Sequence, residues 1–333
     1  MSNANLTKPF LKWAGGKSKI APTLIEIWKE LAEENEEWYL SENAGYHEPF
    51  LGSGSVYFTL KNSEQFTENT HSYLSDLNPV LITTMKEVCG KQYPELLISL
   101  KRLHKEYTTE IKKLGFPKGL TRKQRNERYY YRKRKKMNEL ISKLKSKGLL
   151  NSKDSLEMAA IMIFLNKTCY NGLWRVNSKG ENNVPEGRYH TPNNIFQPEI
   201  LSQCHKDLQF TTITHQSFTQ SFESVTSGDL VYIDPPYLPL NDGEYVFTSY
   251  SSTGFSMENH INLAELASKA ASNGALIIAS NNDTPKVREI YTHAAKLQKI
   301  TPPIFHSIPI KRTMSSRGDG RITVNELLIF MRR

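Results

Sequence analysis

The sequence predicts an α/β fold, a mainly parallel sheet whose chain is interrupted by a basic, mainly helical insertion. Three observations carry this. Residues 46–76 read as strand, glycine turn, short helix, strand and acid, the order of a βαβ unit. The apolar run Leu230-Val231-Tyr232-Ile233 is typical of a strand covered on both faces, and it ends abruptly at Asp234-Pro235-Pro236-Tyr237. Between these two units, from about residue 80 to 155, the pattern is helical and increasingly charged.

Taken in order, a helix is expected over residues 19–35, with Leu24, Ile27, Trp28 and Leu31 at helical spacing. A strand follows at 46–49 and runs into Phe50-Leu51-Gly52-Ser53-Gly54. After a short helix, a strand at 72–74 leads to Ser75-Asp76. Residues 80–155 read as helical. Within them 121–136 is dense in Arg and Lys and contains Tyr129, Tyr130 and Tyr131. An apolar helix is expected at 158–165. Residues 166–194, rich in Asn and Gly, read as loop and hairpin. The α/β grammar then returns, with the strand before Asp234, a helix at 257–272, a strand at 275–280 and a last strand at 322–331. There is no internal repeat. Residues 1–80 and 200–333 are expected to form one catalytic domain and 81–199 a recognition domain.

A chain of 333 residues with 38% hydrophobic residues can bury a sizeable core. Its formal charge of +9 points to an acidic partner, nucleic acid or a membrane surface. The three cysteines, Cys89, Cys169 and Cys204, are odd in number and far apart. They form neither a disulfide framework nor a zinc-ligand spacing, so no metal is expected and a reducing cytoplasm fits. The first residues lack an apolar signal core, and no apolar run is long enough to span a bilayer, so no membrane partner is expected.

Two constellations carry chemistry. Gly52 and Gly54 let the backbone approach a ligand closely, and Asp76 lies 22 residues beyond Gly54. An acid at that offset suits the two ribose hydroxyls of an adenosine-containing cofactor. The third glycine of a dinucleotide fingerprint is missing, since Tyr57 stands there. Trp13-Ala14-Gly15-Gly16-Lys17-Ser18 imitates a P-loop, but Leu11 occupies the place of its first glycine, which excludes an ATPase of that type. At the other end, Asp234-Pro235-Pro236-Tyr237 closes a buried strand, where ligands of open α/β sheets gather. The prolines stiffen the turn and remove two N–H donors. A carboxylate and a carbonyl can then accept hydrogen bonds from an exocyclic amine while the ring of Tyr237 stacks on a flat base. Such a site works by positioning and electrostatics.

These segments resemble the Dam-type adenine-specific DNA methyltransferases. The resemblance rests on Leu11-Lys12-Trp13-Ala14-Gly15-Gly16-Lys17, Glu48-Pro49-Phe50-Leu51-Gly52-Ser53-Gly54-Ser55-Val56, Ser75-Asp76-Leu77-Asn78 and Asp234-Pro235-Pro236-Tyr237. It continues through Phe164-Leu165-Asn166-Lys167, Tyr170-Asn171-Gly172-Leu173-Trp174-Arg175-Val176-Asn177, Asn183-Val184-Pro185-Glu186-Gly187-Arg188-Tyr189, Ser315-Ser316 and Asn325-Glu326-Leu327-Leu328. It runs in order over nearly the whole chain. It implies a Rossmann-like, S-adenosylmethionine-dependent methyltransferase sheet with an inserted DNA-recognition domain. It implies methyl transfer to the 6-amino group of adenine in duplex DNA, within GATC. By that resemblance Trp13, Ala14, Gly15, Lys17, Glu48, Pro49, Phe50, Gly52, Gly54, Ser55, Asp76, Asn78 and Asp234 surround the cofactor S-adenosylmethionine. Asp234 through Tyr237 hold the adenine. Lys12, Tyr170, Asn171, Leu173, Arg175, Asn177, Asn183, Pro185 and Arg188 meet the DNA, with Arg175 reading a guanine. The target base must leave the stack, with Tyr170 a candidate to fill the hole. Residues 121–136 would grip phosphates, and the polar loop 243–252 would order on DNA. The chain is expected to act as a monomer, with a cognate restriction endonuclease among its partners. Two positions depart from the pattern. Asn182 and Glu186 stand where aromatics are usual, and a carboxylate facing phosphate is unfavourable.

Other readings stay open at this stage. Transfer to cytosine's ring carbon would need a nucleophilic cysteine after proline, and none of the three follows one. Transfer to cytosine's 4-amino group would use nearly the same site. A DNA-binding regulator without catalysis would have no reason to keep Lys17, Asp76 and Asp234 together. RNA and protein-amide methyltransferases favour Asn where this chain has Asp234.

Overall fold

In the computed structural model, the described residues are 7–35, 40, 43–63, 66, 70–115, 119–187, 196–238, 255–311 and 323–333. Arg188, Tyr189, Ser315, Ser316 and the loop 243–252 lie outside them. The strands are β1 (Tyr46–Glu48), β2 (Ser72–Asp76), β3 (Thr211–His215), β4 (Leu230–Ile233), β5 (Leu276–Asn282), β6 (Ile304–Lys311) and β7 (Thr323–Met331). They form one seven-stranded sheet in the order β3-β2-β1-β4-β5-β7-β6. The first five are parallel, while β7 runs antiparallel between β5 and β6. Strand order reverses between β1 and β4, which leaves a crevice at their carboxyl ends, the place where ligands of such sheets bind. The expected α/β sheet is therefore present.

The sheet is covered on both faces, which explains its continuous apolar strands. Leu230 and Tyr232 of β4 join one core cluster, while Val231 and Ile233 join the other. The same alternation runs through β5 and β7. Helices α10 (Met257–Ser272) and α11 (Pro285–Gln298) pack on the second face. The first face is covered by α1 (Ala21–Glu34), α2 (Ser55–Leu60), α3 (Pro79–Cys89) and α8 (Pro198–Asp207), and its core continues into the helical middle. A four-residue helix, α9 (Phe218–Ser221), follows β3. No described helix is long and apolar enough to cross a membrane.

The middle contains α4 (Tyr93–Leu114), α5 (Arg122–Glu127), α6 (Tyr129–Lys147) and α7 (Ser152–Thr168). Every residue from Met158 to Asn166 is buried, so α7 is the axis around which the others pack, as expected of a helix apolar all round. The division expected at residue 80 falls inside α3, and one continuous core joins the sheet face to α4, α6 and α7. Residues 101–150 hold 18 of the chain's 43 Lys and Arg but only 4 of its 34 Asp and Glu, so the positive charge is concentrated there. Part of that basic run faces inward. Tyr129 and Tyr130 are core residues, and Arg128 is 4% exposed.

β3, β6, α8, α9 and α11 go beyond the sequence expectations. β3 is a sheet edge with only Ile213 buried, and β6 is the other edge and carries Pro309. Edge strands lack the doubled burial that makes β4 and β5 legible.

Candidate active site and DNA-recognition hairpin

The crevice between β1 and β4 is built from four strand ends. After β1, Leu51 N–H donates to Ser75 O at 2.9 Å, tying the glycine turn to β2. Gly52 has φ +49, and a Cβ there would stand 3.0 Å from the Trp13 ring, so close approach requires glycine. Gly54 has φ +70 and caps α2, whose first residue Ser55 accepts Lys17 N–H at 2.8 Å. Asp76 ends β2 and accepts Gly52 N–H at 3.0 Å and Asn78 N–H at 2.8 Å. Burial raises its carboxyl pKa, and these two N–H bonds oppose the rise. Asn78 in turn caps α3 through Val80 and Leu81 N–H.

Lys17 joins this end to the Asp234–Tyr237 turn. Its Nζ lies 2.8 Å from Asp234 Oδ1 and 3.6 Å from Glu326 Oε1, and it donates to Gly15 O at 2.8 Å. The same ammonium sits 4.7 Å from the centroid of the Tyr237 ring. Tyr237 Oη donates to Glu326 Oε1 at 2.5 Å. Burial raises the Asp234 carboxyl pKa, and Lys17 pulls it back towards the ionised form. The Asp234 side chain is 18% exposed, against 6% for Lys17 and 4% for Glu326, so the carboxylate is the part of this cluster that reaches the crevice. Pro235 is buried, and Pro236 and Tyr237 are half-buried. Leu238, at the end of the turn, is tied to β5 by Asn281 Oδ1 and Asn282 Nδ2.

Glu48, at the end of β1, accepts Tyr46 Oη at 2.7 Å. Burial lifts its pKa from 4.5 to about 8, with the charge of Asp234 adding to the rise and the Tyr46 hydroxyl opposing it. Pro49 is buried beside it. Phe50 stacks on Phe218 at 5.6 Å and meets Phe255 edge-on at 5.8 Å. The sequence reasoning did not assign Glu326, Asn281, Asn282 or Phe218 to the site. Glu326 stands in Asn325-Glu326-Leu327-Leu328, and a charged residue leading directly into the apolar run 327–331 was the signal for it.

Of the residues expected to meet DNA, Tyr170, Asn171, Leu173, Arg175, Asn177, Asn183 and Pro185 lie on a second structure, the irregular hairpin 169–187 that follows α7. Two antiparallel bridges close it, Cys169 with Glu186 and Val176 with Asn182. Asn166 links it to the first motif. Its Oδ1 accepts Lys12 N–H at 2.9 Å, and its Nδ2 donates to Lys12 O and to Gly172 O. Gly172, at φ +66, would place a Cβ 2.6 Å from the Lys12 side chain. Tyr170 is 55% exposed, Asn171 takes a left-handed backbone at φ 55, and Leu173 packs against the core. Arg175 is exposed and donates from Nε to Asn183 Oδ1 at 2.7 Å. Asn177 spends its side-chain oxygen on the tip, accepting Lys179 and Glu181 N–H. Pro185 is exposed, and its carbonyl accepts Tyr170 N–H.

Glu186 does not face outward. Its side chain is fully buried, 3.0 Å from Arg128 Nε, and Tyr107 Oη donates to it at 2.9 Å. A carboxylate where an aromatic is usual is thus matched by an arginine from the α5–α6 junction. Asn182 is also buried, at 4% exposure.

The sequence matches the D12 class of N6 adenine-specific DNA methyltransferases over residues 13–303. Among similar proteins, the type II methyltransferase M.MjaIII of Methanocaldococcus jannaschii is 38% identical over 324 residues, covering 97% of this chain and 98% of that one. The DNA adenine methylase of Escherichia coli K12 is 30% identical over 321 residues, covering 96% and 94%. The type II methyltransferase M1.LlaDCHI of Lactococcus lactis subsp. cremoris is 27% identical, covering 97% and 94%. A buried acid-lysine cluster at the strand-order reversal, a basic helical insertion and a match of this extent agree: the chain belongs to the D12 class of N6 adenine-specific DNA methyltransferases.

Proposed function

We propose that this enzyme methylates the 6-amino group of an adenine flipped out of duplex DNA, within GATC, at the crevice between β1 and β4. The observation that carries the reading is the Asp234 carboxylate, held 2.8 Å from Lys17 at the carboxyl end of β4 beside Pro235, Pro236 and Tyr237.

The family implies S-adenosylmethionine as methyl donor, and the residues fit it. Asp76, Asp234 and Glu326 around Lys17 give an acid-rich crevice suited to a cationic sulfonium, with the buried Glu48 beside them. Asp76 keeps lone pairs beyond its two backbone bonds, which suits ribose hydroxyls. Trp13, Ala14, Gly15, Phe50, Gly52, Gly54, Ser55, Pro49 and Asn78 shape the remaining walls. Once bound, the donor supplies an electrophilic methyl group.

The chain's own residues do the rest. Lys17 holds one oxygen of Asp234 and favours its ionised form against the effect of burial. The other oxygen and the backbone carbonyl beside Pro235 accept the two N–H bonds of the adenine amine. That directs its lone pair at the methyl group and gives the departing proton an acceptor at Asp234. Tyr237 stacks on the base. The recessed position of Asp234 supports a base that leaves the duplex to reach it. Tyr170, exposed at the base of the hairpin, fills the vacated stack. Arg175 reads guanine through its terminal nitrogens, and Lys12, Asn171, Leu173, Asn177, Asn183, Pro185 and Arg188 complete the DNA contact. In this reading residues 81–199 form the recognition domain and 1–80 with 200–333 the catalytic one. The enzyme works in the cytoplasm as a monomer, alongside a restriction endonuclease of the same specificity.

The target is tested by methylating plasmid DNA and challenging it with endonucleases that cut GATC only when adenine is methylated, or only when it is not. Protection against the second and cutting by the first is the expected result. Labelled adenine without either change would move the target to another sequence.

A further inference from the structure

One stripe of α6 holds the backbone of the hairpin. Tyr130 Oη donates to Val184 O at 3.0 Å and Arg134 Nη1 to the same carbonyl at 2.8 Å. Asn138 Nδ2 donates to Asn182 O at 3.1 Å, and Lys145 Nζ to Lys179 O at 2.9 Å. Spacings of four, four and seven residues place all four side chains on one face of the helix. Asn138 also accepts Asn182 N–H at 2.8 Å, so its side-chain amide makes both bonds that a neighbouring strand residue would make. The hairpin needs such support, because its own pairing amounts to two isolated bridges, too little to hold a shape. From Asn182 the connection continues outward. Asn183 N–H donates to Arg175 O at 3.1 Å, and Asn183 Oδ1 holds Arg175 Nε. The Asn182 side-chain oxygen takes no part in this, since Oδ1 is buried without a partner among the described residues.

We propose that α6 is a splint for the hairpin and that Asn138 is a positioning residue that sets target discrimination, through Asn182 and Asn183 to the guanidinium of Arg175. Arg175 Nε is occupied by Asn183, which leaves the terminal nitrogens in a fixed fork for a base edge. A fork that is held discriminates between bases, and one that swings makes weaker contacts to many. The proposal rests on the reading of the hairpin as the DNA-reading element.

The test uses the full-length enzyme on duplexes with a randomised target, with methylated adenines mapped by sequencing. Wild type, N138A, N138D and R175A are compared, and each variant's thermal midpoint is recorded. Discrimination is the rate at the best target divided by the rate at its single-base neighbours, whatever that target is. N138A is expected to lose about tenfold in discrimination, within the range of one bidentate base contact, with a smaller change in kcat at the best site. N138D keeps the acceptor for Asn182 N–H and loses the donor, so it should fall between. If N138A does not fold, N138D carries the test. Discrimination unchanged in the folded Asn138 variants, while R175A collapses it, would overturn the splint and leave the hairpin reading intact. Discrimination unchanged in R175A as well would overturn both. A wild-type preference other than GATC would remove only the proposed target.

Discussion

The turn proposed to carry the chemistry and the hairpin proposed to read DNA are built on opposite principles. The turn grows from β4 in the middle of the sheet, and its working groups are held by side-chain charges, Lys17 against Asp234 and Glu326. The hairpin has almost no regular structure of its own. It is held by side chains bonding its backbone, Asn166 at its base and the α6 stripe along its length, with one buried ion pair at Glu186. Chemistry shared across a family can sit on a rigid sheet end, whereas a surface that reads sequence has to be held from outside while staying open to DNA. Removing a charge from the first region should therefore change rate, and from the second stability and selectivity.

The largest effect is expected at the turn. D234A removes the acceptor of the amine protons, and kcat should fall by about 10²–10³-fold while DNA binding persists, as read by single-turnover methylation and a gel-shift. Equal losses in binding and rate would erase the contrast. Next comes the buried pair of the hairpin. R128M leaves Glu186 buried and unpaired, which should cost about 3–5 kcal/mol, measured by urea denaturation. A cost below about 1 kcal/mol would mean that the pair does not anchor the hairpin.

A smaller effect is expected at Glu326. E326A frees the Tyr237 hydroxyl and loosens Lys17, lowering kcat by roughly tenfold. E326Q, which keeps an acceptor for Tyr237, should recover part of the loss. A further effect is a pH dependence. Glu48 has a folded-state pKa of about 8, against 4.5 for an ordinary Glu. The folded state therefore holds a proton that the unfolded state has already released. Its contribution to stability is present below pH 4.5 and lost as pH rises through about 8. E48Q should gain stability relative to wild type between pH 5 and pH 8.5 in denaturation experiments. A constant difference would mean that burial does not control this carboxyl.

The two regions also differed in how far the sequence revealed them. The glycine turn, Asp76 and the Asp-Pro-Pro-Tyr turn were legible because each motif is local, and their strands are marked by double burial. The pairing of Lys17 with Asp234 was not, because it joins residues far apart in the chain. Glu186 read as a misplaced carboxylate. Its partner Arg128 was hidden in a basic run expected to grip phosphates, and no local pattern says that Arg128, Tyr129 and Tyr130 turn inward. The residues alone left cytosine's amine and a non-catalytic regulator open, and membership in the adenine-specific class closes both.

The decisive measurement is a digest to nucleosides. Wild type and D234A are incubated with labelled S-adenosylmethionine and unmethylated duplex DNA, and the labelled nucleoside is identified by mass spectrometry. Label confined to N6-methyladenine with wild type, and absent with a D234A protein that still binds DNA, is the predicted result. Label on the 4-amino group of cytosine, or undiminished adenine methylation by D234A, would contradict the assignment of this chemistry to the Lys17–Asp234 site.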